Sequence, residues 1–274
     1  MFIKTDGPWQ TLPGSVPLES LMKTNNNISV VIPVREEMKL SFHRKIIESY
    51  KKFPNCELLW VIGPNNDGTY EDLVENQQRV IQTNSNSRAE RINIGIKASR
   101  HSLILVNHPR SFLSASAIKH LSCMKVEDNN KFWGGFTHEF YQAKHPILKF
   151  ASFYSNTIRF GLRGIIYLDH CIFFTKNLIT AEDPAPVPLA EIFEDTLFSR
   201  KLSKLMRPVR IKNKSYTSPV RFKNNGVIKQ SLMNQKLKLK FLFGFSKEKM
   251  NKEYEKDLNL NSRYQCSETS KHHR

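Results

Sequence analysis

Residues 28–32, ISVVI, form a short β-branched apolar run between a polar turn at 25–27 and Pro33, the pattern of a buried parallel strand that stops at the proline. Met38, Phe42, Ile46 and Tyr50 recur at four-residue intervals, which predicts a helix over 36–53 with lysines crowding its last turn, where the helix dipole favours them. Strands are predicted over 57–62, closed by the turn-rich GPNNDGT, and over 79–83 and 103–107, with helices over 70–78 and 89–98 between them. Strand and helix alternate throughout this half, and that order predicts a parallel, doubly wound α/β sheet with right-handed crossovers.

Past residue 112 the pattern is less regular. Strands are expected over 132–136 and 165–174, a helix over 189–205 after the Pro-rich run EDPAPVP, and a basic amphipathic helix over 227–243. The polar tail from about residue 257, DLNLNSRYQCSETSKHHR, reads as disordered, and no internal repeat is present.

A chain of 274 residues with 39% hydrophobic content and 18 Phe can build a sizeable core, which excludes wholesale disorder. Its four cysteines, Cys56, Cys123, Cys171 and Cys266, are widely spaced, so neither a zinc site nor a disulfide framework is indicated and a reducing, cytoplasmic setting is expected. The opening MFIKTDGPWQTLPG lacks the apolar core of a signal peptide. The most apolar stretch, 147–174, is interrupted by Arg159, Arg163 and Asp169, so no membrane-spanning helix is expected.

Charge changes the picture more. Residues 200–256 hold 17 Lys and Arg against three acids, Glu248, Glu253 and Glu255, and so carry most of the net +17. Such a region attracts polyanions generally: anionic lipid, diphosphate-bearing substrates or nucleic acid. A solvated basic face without a specific partner is the commonest alternative. No RRM, zinc-finger or helix-turn-helix signature accompanies it, which ranks nucleic acid last. Within it KLKLKFLF, 236–243, mixes apolar residues with lysines as a membrane-surface helix does, although a core element with snorkelling lysines fits equally well.

The densest candidate chemistry lies in 87–111, SRAERINIGIKASRHSLILVNHPRS, where an Arg-bearing helix start runs into an apolar strand ending in Asn107-His108-Pro109-Arg110. Open α/β sheets bind ligands at the carboxyl ends of their strands, so His108 and Arg110 are expected to handle a substrate's charge. A surface turn made by Asn and Pro with an incidental Arg explains these residues alone equally well.

Taken with ISVVIPVREE, LDHCIFF, EIFEDTLFSRKL and TSPVRFKNNGVIKQSLMNQKLKLKFLFGFSKEKM, this segment makes the chain resemble a family 2 glycosyltransferase of GT-A fold, of the compact bacterial type called transferase-2 or radical-SAM-associated. The resemblance implies a GT-A, Rossmann-like nucleotide-diphospho-sugar transferase fold with a mostly parallel central sheet. The domain would span 25–250, its nucleotide half at 28–111 and its acceptor half at 112–250, between an N-terminal extension (1–24) and a disordered tail (251–274). It also implies transfer of a sugar from a nucleotide-sugar, UDP-linked in most such families, to a hydroxyl on a lipid-linked or polysaccharide acceptor, with the protein cytoplasmic and peripheral on the inner face of a membrane.

By position, Pro33, Arg35 and Glu36 border the nucleotide, Arg35 replacing the usual Asn, and Asp67 is the nearest acid where Gly63 replaces the one that ends the second strand. Arg88 and Asn93 fall on the family's Arg and Asn beside the nucleotide-sugar, where a guanidinium binds diphosphate bidentately. An ordinary exposed helix terminus is the structural alternative for both.

The metal motif departs furthest, because His108-Pro109-Arg110-Ser111 stands where the family has His-Ala-Asp-Thr. Mg²⁺ or Mn²⁺ is usual for the family, but a guanidinium repels a divalent ion, so Arg110 would either stabilise the leaving diphosphate itself, without metal, or mark lost catalysis. Glu194 and Asp195 match the family's acceptor base, and about 100° between adjacent helical residues allows at most one to face the acceptor. A solvated turn balanced by Arg200 and Lys201 is the alternative. Asp169 matches a further acid near the sugar or acceptor, while its neighbour His170 reads as a satisfied core histidine. Trp133 is a candidate stacking platform on the acceptor side, although a buried aromatic is the commoner outcome. A non-catalytic binder of a nucleotide-sugar or protein partner on the same scaffold, and a nucleic-acid-binding protein, are the rival readings.

Overall fold

The fold is seen in a computed structural model, which describes residues 26–35, 37, 41–124, 126, 130–179, 183 and 185–255. The candidate nucleotide residue Glu36, the N-terminal extension and the tail beyond 255 lie outside the described residues.

The alternating half forms as its pattern requires. Strands β1 (Ile28–Val34), β2 (Cys56–Ile62), β3 (Arg79–Gln82) and β4 (Leu103–Val106) are all parallel, and helices α1 (Phe42–Tyr50), α2 (Thr69–Glu75) and α3 (Arg88–Ala98) connect them. Every residue of β1 is buried, as befits a strand covered on both faces.

β1 does not stop at Pro33. Successive residues face opposite neighbours: the Val31 carbonyl accepts from Asn107 N–H on the β4 side, and the Val34 carbonyl accepts from Gly63 N–H on the β2 side. Pro33 therefore turns its missing N–H toward β4, which has already ended at Val106. Helix α1 is shorter than expected, beginning only after Ser41, whose φ of 51° breaks the helical path.

The second half departs further from the expectation. It contains β5 (Ser111–Leu113), α4 (Ala115–Ser122), β6 (Trp133–Phe140), α5 (Pro146–Tyr154) continued by a π-helical stretch (Ser155–Leu162), β7 (Ile172–Thr175), α6 (Glu194–Ser203) and β8 (Val209–Thr217). Helices α7 (Val220–Asn225), α8 (Val227–Leu242) and α9 (Lys247–Glu255) follow, so helix continues past residue 250.

These strands extend one eight-stranded sheet in the order β3-β2-β1-β4-β7-β6-β8-β5. β7 runs antiparallel to β4 and β6, β8 runs parallel to β6, and β5 runs antiparallel to β8, so a parallel half continues into a mixed one. The strand expected over 165–174 is cut to its last residues. Ser199 Oγ donates to Ile166 O and accepts from its N–H, Leu168–His170 forms a 3₁₀ turn, and Cys171 takes a φ of 53°.

Two apolar layers cover the sheet. Val30, Ile32, Trp60 and Leu105 pack with α1 and α4, whereas Val31, Leu59, Ile104 and Phe174 pack with α3 and α6. Helix α3 lies directly on β1, because a Cβ at Gly95 would stand 2.2 Å from Val31 Cγ1. That contact fixes where the first residue of α3, Arg88, is delivered.

Candidate functional site

The carboxyl ends of β1 and β4 open into two adjoining spaces. The smaller, about 110 Å³, is lined by Pro33, Arg35, Glu37 and Arg91 among others; the larger, about 630 Å³, lies between the sheet end, α5 and α8. Arg88, His108, Arg110, Ile192, Arg221 and Tyr254 line both.

The small pocket is dominated by five guanidiniums, those of Arg35, Arg88, Arg91, Arg110 and Arg221. Arg110 is held by its Nε donating to Glu37 Oε2 at 3.2 Å, and Glu37 is fixed by its own N–H donating to Thr69 Oγ1 at 3.0 Å. No side chain fits at Gly63, where a Cβ would meet Ser85 O at 2.7 Å and Arg91 Nη1 at 2.9 Å. Arg91 fills that corner and donates to Ser85 O at 2.9 Å.

His108 Nδ1 accepts the Arg110 N–H at 3.1 Å, so a neutral ring carries its proton on Nε2. Burial, aided by Arg88, Arg110 and Arg221 and opposed by Asp169, pulls its pKa down to about 3. The imidazole is therefore uncharged at neutral pH.

The divalent ion usual for the resembled family does not fit these residues. Arg110, at the place the resemblance gives to a metal ligand, is a guanidinium, its one carboxylate partner is spent on it, and no group of three His, Cys, Asp or Glu converges among the described residues. The donor set instead suits an oxyanion.

At the floor of the large cavity the adjacent acids separate. Glu194, 1% exposed, pairs with Arg88 Nε across the sheet end, whereas Asp195 lines the cavity. Burial opposes the charge on Arg88, but Glu194, Asp195 and Asp169 more than offset it and hold its pKa above the ordinary value. Burial and the neighbouring Glu194 raise the Asp195 carboxyl to about 6, against the pull of Arg88 and of the Leu168 N–H, 3.2 Å from Oδ2.

Asp169 also lines the cavity. Burial works against its ionisation, yet His108, His138, His170 and Arg159 together hold it below the usual carboxylate value. Burial also depresses His138, to about 4, and His170, so at neutral pH Arg159 is the cation that persists among these neighbours. His170 is fully buried and satisfied, donating from Nδ1 to Phe136 O at 2.8 Å with Nε2 on Ser155 Oγ at 2.7 Å.

Three candidates lie away from these spaces. Trp133 is fully buried and donates from Nε1 to Met206 O at 2.8 Å, so it is a core residue and offers no stacking face. The Asp67 carboxylate receives the Thr69 N–H at 3.1 Å at the start of α2, where the turn residues GPNNDGT put it to local use. Both ends of the Asn93 amide are on Val187, accepting its N–H at 2.9 Å and donating to its carbonyl at 2.8 Å, so Asn93 clamps the segment leading to α6.

Arg159, His138 and Lys238 also line the cavity, although the sequence places none of them at the site: Arg159 reads there only as a break in an apolar stretch and Lys238 only as part of the basic run. Arg159 interrupts that stretch and Lys238 alternates with other lysines, and only the placing of α8 beside the π-helical continuation of α5 brings them together.

No protein-family profile matches the chain, and no curated protein does. Solved structures do resemble it in fold. One is a mannosyltransferase from Pyrobaculum calidifontis in complex with GDP-Man and Mn²⁺ (TM-score 0.57, 10% identity, 85% of this chain and 65% of that one). Another is S. aureus TarS 1-349 (TM-score 0.54, 14% identity, 77% and 64%), also solved with UDP-GlcNAc. A third is glucosyl-3-phosphoglycerate synthase from Mycobacterium tuberculosis (TM-score 0.51, 10% identity, 75% and 76%). The chain spans less than two thirds of the length of the TarS fragment. At these identities the likeness is one of fold, and the fold is of the GT-A type.

Proposed function

We propose that the protein transfers a glycosyl group from a nucleotide-sugar, UDP-linked, to an acceptor hydroxyl, without a divalent ion. The observation that carries this reading is the division of charge at the sheet end: guanidiniums on the small pocket, and on the cavity floor Asp195 with its pKa near 6. A carboxylate of that pKa is ionised at pH 7 and still basic enough to take a proton, as a general base must be.

In the reaction Asp195 takes the proton of the acceptor hydroxyl as its oxygen attacks the anomeric carbon and the bond to the diphosphate breaks. Arg88, Arg110 and Arg221 receive the charge left on the diphosphate, supplying electrostatic stabilisation of the kind a metal gives elsewhere. His108 Nε2–H is a neutral donor at the boundary between the two spaces. Glu194 positions Arg88, and Asp169 sets the field around the acceptor. A lipid-linked acceptor and an anionic membrane surface belong to the same reading, supported by the exposed Leu239, Leu242 and Phe243 at the end of α8.

The size of the small pocket favours a second reading, a binder without transfer. About 110 Å³, with Asn251 and Tyr254 of α9 in its wall, is less than the roughly 300 Å³ a whole ligand usually needs. Calorimetric titration of UDP in EDTA and again in Mn²⁺ tests both. Equal binding in the two, weakened about 1 to 3 kcal/mol by Arg110→Ala, is expected. Strict dependence on Mn²⁺ would remove the arginine argument, and UDP binding without any sugar transfer or donor hydrolysis would select the binder.

A further inference from the structure

We propose that the α5–α8 end of the cavity is an anion subsite, in which Lys238, Arg159 and His138 receive a phosphate-type oxyanion carried by an amphiphilic acceptor. The proposal rests on the transferase reading only for the word acceptor; the subsite itself is read from its residues.

Helix α5 presents Ile147, Phe150, Ala151 and Tyr154 to the cavity, a stripe at helical spacing that is apolar apart from one phenol. Facing it, α8 presents Gln230, Ser231, Asn234, Gln235, Leu237 and Lys238, a surface polar apart from one leucine. An occupant between them meets hydrocarbon on one side and amide and ammonium groups on the other.

Among the described residues no carboxylate pairs with Lys238 or Arg159, and the acid in the field of Arg159 is Asp169, at the sheet end. Lys238 is half-buried near the Tyr154 ring, with its Nζ 5.8 Å from the ring centroid, and has no carboxylate partner among the described residues. Burial and the charge of Arg159 pull its pKa down to about 8, as expected of two like charges awaiting a counter-ion. Asp169 and Asp195, the acids that line the cavity, stand at its sheet end.

The other two groups are held in place with polar atoms to spare. The Arg159 guanidinium stacks on Tyr167, 3.4 Å from the ring centroid, and donates from Nη2 to Ser155 Oγ, while its Nε has no partner. His138 is 4% exposed, with Nδ1 on Ser152 Oγ at 3.2 Å and Nε2 unpartnered at the cavity wall. Buried polar atoms are rarely left unpaired, so a ligand with several acceptor oxygens matches all three groups. The ring is neutral, with its pKa near 4, and offers a hydrogen bond without adding charge.

The test titrates the full-length protein with octyl phosphate below its micellar concentration, inorganic phosphate, and octyl glucoside. Octyl phosphate is expected to bind at least tenfold more tightly than either of the others. Lys238→Gln should weaken it about tenfold while UDP binding is unchanged, and Arg159→Gln should act in the same direction. Octyl phosphate should also protect Lys238 from amine acylation at pH 8, read by mass spectrometry, which keeps the question open to measurement if the Arg159 variant does not fold.

Octyl phosphate binding no better than octyl glucoside, or indifferent to Lys238→Gln, would overturn the subsite. Equal affinity for inorganic and octyl phosphate would overturn the amphiphilic occupant. Absence of UDP binding in the unaltered protein would strike the transferase reading alone, since the titrations with octyl phosphate, inorganic phosphate and octyl glucoside contain no nucleotide.

Discussion

The small pocket beside β1 and the cavity between α5 and α8 share six lining residues, yet their chemistry is opposed. The pocket concentrates five arginines around one buried carboxylate, Glu37. The cavity shares three of those arginines and adds Arg159 and Lys238, but it alone holds an acid with a raised pKa, an acid with a lowered one and an apolar wall, with neutral imidazoles beside them. Arg88 stands on the border, turned to one side by Glu194. Two spaces so divided can hold a departing anion and an arriving hydroxyl at once, which neither could do alone.

The comparison breaks most visibly at residues 194 and 195. If the cavity side performs proton transfer, Asp195→Asn should lower turnover by roughly 10²- to 10⁴-fold, the usual contribution of a general base, with UDP affinity nearly unchanged. Glu194→Gln should instead weaken UDP binding and lower the melting temperature, because it frees Arg88 and leaves a buried pair broken. Single-turnover rates and UDP titrations on the two variants separate these outcomes, and matching losses in both would return the pair to a purely structural role.

How much of this was legible follows from the same two regions. The parallel half could be read because buried strands and amphipathic helices alternate there, and the 100° between Glu194 and Asp195 already implied different surroundings. The second half hid its elements. β8, VRIKNKSYT, is polar at most positions because one face is solvated, and β5 is three residues long. Trp133 sits beside glycines that admit close packing, and burial rather than a ligand claimed its faces. Lys238 was indistinguishable from Lys236 and Lys240 within KLKLKFLF until the helix was placed: both neighbours pair with Glu253 of α9, and only Lys238 turns into the cavity.

The raised pKa of Asp195 sharpens the comparison further, through pH. The folded protein favours the protonated carboxyl, so this group's contribution to stability is fully present below about pH 4, its unfolded value, and is lost as pH rises through about 6. Asp195→Asn should therefore gain on the unaltered protein between pH 4 and pH 8, by on the order of 1 to 3 kcal/mol in urea unfolding. Turnover should run oppositely, rising with pH through about 6 as the base ionises. A stability difference independent of pH would mean that Asp195 is not a strained carboxylate at all.

The smallest effect concerns the outer surface of the cavity side. Lys236 and Lys240 are engaged by Glu253, so they offer a membrane less than their number implies, whereas Leu239, Leu242 and Phe243 are 55%, 59% and 76% exposed. Apolar insertion should then matter more than basic charge. Sedimentation with vesicles containing anionic lipid should fall on Leu242→Ser with Phe243→Ser by more than on Lys236→Gln with Lys240→Gln. The lysine pair would be worth up to about 1 kcal/mol per residue only if it left Glu253. Raising salt should weaken the association modestly, because Lys236 and Lys240, the lysines beside the apolar end of α8, are already paired with Glu253. A steep salt dependence with no effect of the apolar substitutions would reverse the ranking and make the basic face, rather than the apolar end of α8, the membrane-facing surface.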